Sequence, residues 1–144
     1  MADAHRWLKY SALLYGLGLA LHTADHFRRG LDASTGQVLV IGNLSTALGV
    51  TVAVMVVVGY RNAPLLAALT GFPVAFGVAA VHLLPTWSAF SDTFVNGHNT
   101  GVTAMSWTVV LVEIVGALAM GIAGLVVVRD QRAADVRLAG NRLS

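Results

Sequence analysis

The residues best equipped for chemistry sit in one turn of chain, His22-Thr23-Ala24-Asp25-His26, followed by Arg28 and Arg29. In a helix, positions three and four apart share a face, so both imidazoles and the carboxylate point the same way. Two imidazoles at that spacing are a ligand pair for Zn²⁺, Cu²⁺ or Fe, and Asp25 can serve as a further ligand or hold one of the rings. His82, from a separate apolar stretch, would complete the set, with His98 and Asp92 as additional ligands from the loop after it. Imidazoles from two helices at one depth can instead grip the two faces of a b-type haem. The chain has no cysteine, so thiolate sites and disulfides are excluded. Taken alone, His-x-x-x-His is a weak motif. It lacks the glutamate that zinc proteases use as base, and His-x-x-Asp-His only approaches the inverted protease pattern. A chain this small offers no substrate groove, which argues against proteolysis.

Glu113 is the second chemical group that stands out. It lies in the middle of a long apolar run, where an unpaired charge in a bilayer costs at least about 2.5–3.5 kcal/mol. The expectation is a protonated carboxyl hydrogen-bonded to Tyr15 or Thr46. Glu113, Tyr15 and Asn43 would then form a buried proton relay leading toward the histidines.

These groups must be positioned by helices in lipid. Of 144 residues, 56% are hydrophobic and only 11% charged, a composition suited to a chain whose solvent is mainly hydrocarbon. Apolar stretches over 10–27, 37–60, 64–84 and 102–128 are each read as a transmembrane helix. The run after Lys9 also fits a signal peptide, but cleavage after Ala24 would put His22 where a small residue is wanted, so an uncleaved first span is expected. Pro64 favours a helix start, and Gly71 and Pro73 predict a kink in the third span. Between spans three and four, Trp87, Phe90 and Phe94 recur at helical spacing, which predicts a short interfacial helix.

The fold expected is a single all-α domain covering 1–144, an up-down four-helix transmembrane bundle. Arg6, Lys9, Arg61, Arg129, Arg132, Arg137 and Arg142 would fall on one side, with Arg28 and Arg29 on the other. The positive-inside rule then places both termini in the cytoplasm, with the basic tail 129–144 on anionic headgroups. His22, His26, His82 and His98 all reach the outer surface in that topology. Lys9 is the sole lysine among many Arg, Ala and Gly residues, a composition that suggests a bacterial inner membrane. The formal charge of +2 is too small to suggest nucleic acid. Gly116, Ala117, Gly121 and Gly124 form a small-residue face for helix packing, within the chain or between copies.

Three functions fit these residues. One is a metal or haem site of His22, His26, His82 and Asp25, serving redox chemistry or metal handling, with Glu113 carrying a proton. Another is an accessory subunit of a larger membrane complex or a homo-oligomer, without a ligand. The last is a lipid-modifying enzyme using His22 or His26 as acid and base.

Overall fold

The computed structural model describes residues 2–95 and 101–141. Those residues form four α-helices and no strand: α1 (Ala2–Arg29), α2 (Gly36–Val58), α3 (Ala63–His82) and α4 (Ala104–Asn141), with a short 3₁₀ turn at Leu31–Ala33. The all-helical architecture is as expected. Three of the helices, α2, α3 and α4, are long and apolar enough to cross a membrane. In α1 the apolar run is diluted by Lys9, Tyr10, Ser11, Tyr15 and His22, several of which turn out to face inward.

The helix ends follow local chemistry. Thr35 caps α2, its hydroxyl accepting from the Val38 amide at 3.2 Å. Gly59 ends α2 two residues earlier than the hydropathy suggested: at φ 77° it adopts the left-handed conformation that a side chain would resist. Pro64 occupies the first turn of α3, and that helix runs on through Pro73. α3 stops at His82 because the chain folds straight back on it. The amides of Asp92 and Phe94 donate to the carbonyls of Val81 (3.0 Å) and His82 (2.8 Å).

This return corrects one expectation. Residues 85–95 form no interfacial helix. The Ser91 hydroxyl instead accepts from the amides of Trp87 and Ser88, and Trp87 Nε1 donates to the Ala80 carbonyl. The local donors are spent on a turn. Phe94 is buried rather than lying aromatic side out, whereas Trp87 and Phe90 stay exposed. α4 continues without a break past residue 128 into the basic tail.

α4 is the axis of the packing, with α1 and α3 on either side of it and α2 resting more lightly on α1 and α3. Glycines set the closeness of these contacts. A Cβ on Gly18 would lie 2.7 Å from the Glu113 backbone, and one on Gly116 would lie 2.6 Å from that of Tyr15. On the α3 side, Gly71 meets Ala117 and Gly121, and Gly124 meets Pro64 and Ala68. The small-residue stripe of α4 is thus consumed inside the chain, joining two helices to it.

Polarity is arranged inside out relative to a water-soluble bundle. Leu17, Val40, Leu44, Leu69, Phe76, Val115 and Ile122 are exposed, while Asp25, His22, His82, Asp92 and Glu113 are buried. A surface of this kind is suited to lipid.

Candidate metal centre

The histidine end of the bundle is built by α1, the close of α3 and the loop that follows. His22 and His26 stack one turn apart on α1, their ring centroids 4.8 Å from each other. His82, the last residue of α3, brings its ring centroid to 4.8 Å from His22 and 5.6 Å from His26. One ring nitrogen from each of the three lies within 4.8 Å of the others. His22 and His82 are buried and His26 is half-buried.

The hydrogen bonds around the triad decide which nitrogen each ring offers. His82 Nδ1 lies 3.0 Å from the Asp92 carbonyl. A carbonyl oxygen can only accept, so Nδ1 carries the proton and Nε2 of the neutral ring keeps its lone pair. Ser34 Oγ donates its single hydrogen to Asp92 Oδ2 at 3.1 Å, and it therefore accepts from His26 Nδ1, 3.3 Å away. His22 Nδ1 is hydrogen-bonded to Glu113 Oε2; where the carboxyl oxygen accepts, Nδ1 carries the proton. His26 and His82 are thereby set in the tautomer that leaves Nε2 bare, and His22 joins them when Glu113 is the acceptor. His22 Nε2 is buried and has no hydrogen-bond partner, a costly arrangement unless something binds there.

Carboxylates support the rings from behind. Asp92 is buried, with Oδ2 3.8 Å from His26 Nδ1 and 3.7 Å from His82 Nδ1. Its Oδ1 accepts from Arg29 Nη2 at 2.7 Å, and the Arg29 guanidinium stacks over Phe94, 5.2 Å from the ring centroid. Phe94 also packs on His82, 4.7 Å between centroids. Histidine held by a carboxylate or carbonyl through the nitrogen that faces away from the ion is the usual support for a metal-binding imidazole.

Several expectations need correcting against this geometry. Asp25 is buried, but its Oδ1 accepts from Arg28 Nε at 2.8 Å, and it supplies no atom to the converging donors. Arg28 reaches on to the Gly101 carbonyl and Ser106 Oγ, so Asp25 ties α1 to the start of α4. Asp92 stands behind the rings and is not one of the three converging donors. His98 lies outside the described residues. Asn43 is exposed and donates to Leu39 of its own helix at 2.8 Å, so it has no place in a relay. Tyr15 is fully buried beneath the site, yet its hydroxyl sits against Gly49 without a hydrogen-bond partner. Glu113 pairs with His22 and not with Tyr15 or Thr46.

The Ser34 contacts and the Glu113–His22 pair are the contacts of this site that the sequence did not disclose. A signal for the pair existed. α1 runs on to Arg29, so His22 lies seven residues below that helix end and Glu113 nine below the start of α4. At 1.5 Å per residue both sit about 10–14 Å down their helices. Searches of family models, curated proteins and solved structures each found no match to the chain.

Proposed function

We propose that this chain is a four-span membrane protein, termini on the cytoplasmic side, that holds one transition-metal ion on His22, His26 and His82 at its outer face. Its role on this reading is metal handling or redox chemistry, with Glu113 as the carboxylate that takes up or returns a proton through His22. The observation that carries the reading is the convergence of three imidazoles, each with Nδ1 held by a neighbour, which leaves Nε2 as the nitrogen available to an ion.

Three neutral nitrogens and no sulfur suit Zn²⁺, Cu²⁺ or Fe²⁺. On a tetrahedral ion with bonds of 2.0–2.1 Å the nitrogens lie roughly 3.4 Å apart, so the rings close in slightly as they bind. Three protein ligands leave one position open, the pattern of sites that bind or transform a small molecule. A haem fits less well. Its macrocycle must pass between two axial rings, and centroid separations of 4.8–5.6 Å among three mutually adjacent imidazoles leave room for an ion alone. Membrane insertion of α1 rests on its packing: its polar residues Ser11, Tyr15, His22 and Asp25 are buried, while Leu13, Leu14, Leu17 and Leu21 face outward.

Elemental analysis of the detergent-purified protein tests the proposal. Near-stoichiometric zinc, copper or iron is expected in the wild type and absent from His22→Ala and His82→Ala variants that keep their helical circular dichroism. Absence of metal from the wild type after reloading with each ion overturns it.

A further inference from the structure

At the end of the bundle opposite the histidines, all four helices border an open cavity of about 160 Å³. Five of its lining residues carry polar side chains: His5 and Lys9 of α1, Tyr60 and Arg61 of the α2–α3 turn, and Gln131 of α4. No acidic side chain lines it. Lys9 and Arg61 form no ion pair among the described residues. The cavity is several times the ~30 Å³ share of one water molecule, enough for a tetrahedral oxyanion with its waters.

We propose that this cavity is a phosphate-binding site, separate from the metal centre. Lys9 and Arg61 supply the charge, and Gln131 and Tyr60 supply neutral hydrogen-bond donors. Two cations converging from different elements, without an internal counter-ion, repel each other unless an anion joins them. The floor of the cavity adds a weaker attraction. α3 begins there, and its cap residue Asn62 makes no side-chain cap, so the positive end of the helix dipole faces the same space. Pro64 at the first turn contributes apolar wall and no amide hydrogen. The same chemistry can arrive on an anionic phospholipid headgroup or as free phosphate.

The experiment uses the full chain in detergent and reads bound lipid by native mass spectrometry. Phosphatidylglycerol and phosphatidylcholine are offered in parallel, and inorganic phosphate is titrated against the retained lipid. Retention of phosphatidylglycerol over phosphatidylcholine is expected. Each of Lys9→Gln and Arg61→Gln should weaken it about 5-fold, and the double variant roughly 30-fold. Arg6→Gln, which removes a cation paired with Asp3 outside the cavity, should leave it unchanged. Displacement of the lipid by millimolar phosphate identifies the free ion as a competent occupant, and persistence of the lipid identifies the headgroup. Equal lipid retention by wild type and double variant overturns the proposal, as does an equal loss in Arg6→Gln. Neither result bears on metal content, which the same samples report separately.

Discussion

Removing the charge behind His22 is the sharpest perturbation the site allows. Glu113 approaches α1 where Gly18 lets the two backbones close, and its carboxylate holds His22 Nδ1. In Glu113→Gln the amide oxygen can still accept from Nδ1–H, but the bond is no longer charge-assisted and loses about half its strength. Losing a carboxylate that supports a metal-bound histidine typically costs 10–100-fold in metal affinity, or about 1.4–2.7 kcal/mol. Glu113→Gln keeps part of the contact and should fall near 10-fold. Glu113→Leu keeps none, strands a buried Nδ1–H, and should approach 100-fold. Competition between the protein and a chromophoric chelator for Zn²⁺ or Cu²⁺ measures both. Tyr15→Phe is the internal control, since the Tyr15 hydroxyl lies in the same layer without a partner. If both Glu113 variants bind within threefold of wild type while His82→Ala binds nothing, Glu113 does not support the metal-binding ring and the assignment of its role fails.

Other consequences follow from the same contacts. Asp92→Asn takes away the carboxylate that pairs with the buried Arg29 side chain, so it should destabilise the protein by about 3–5 kcal/mol, seen as a large drop in detergent melting temperature and partly rescued by Arg29→Met. Tyr15→Phe removes a buried unpaired hydroxyl and should leave the melting temperature unchanged or raise it. Gly116→Val places bulk where a Cβ already meets the Tyr15 backbone at 2.6 Å, and size-exclusion chromatography should show aggregated or unfolded material, whereas Gly16→Ala, with open space around it, should behave as wild type. Metal affinity should fall as the pH is lowered, because protons compete with the ion for the bare Nε2 atoms, a trend that chelator competition at several pH values would check.

Hydropathy and charge placement made the helices and the two short connections before α3 legible, because in an apolar chain these breaks are marked by a charge, a glycine or a proline. The nearness of His22, His26 and His82 was also foreseeable: two shared a helical face and the third closed another apolar run. What could not be read was which atom each side chain would spend on a neighbour. Asp25 has the spacing of a ligand, but Arg28 lies three residues on along the same helix and claims it. Asp92 reaches the site only because the loop returns to pair with the last carbonyls of α3, a fold-back that the aromatic spacing of Trp87, Phe90 and Phe94 disguised as a helix. Asn43 was misplaced because the polar residues of α2 (Gln37, Asn43, Ser45, Thr46 and Thr51) are scattered around the helix and do not say which face is inside. It satisfied its own backbone instead.

The way α4 divides the packing has a mechanical consequence. α1 and α3 each press against α4 through small residues and barely touch one another; they meet at the three histidines. α4 is their main shared support and α2 a lighter one, so the two helices can splay about α4 like covers about a spine. An ion bound by His22, His26 and His82 acts as a clasp at the free edge, joining residues far apart in sequence. Loading should therefore stiffen more than the ligands themselves. Amides near the close of α3 and of the following loop, which share carbonyls through Asp92 and Phe94, would exchange with solvent more slowly in the loaded protein, while those in the far half of α4 would not.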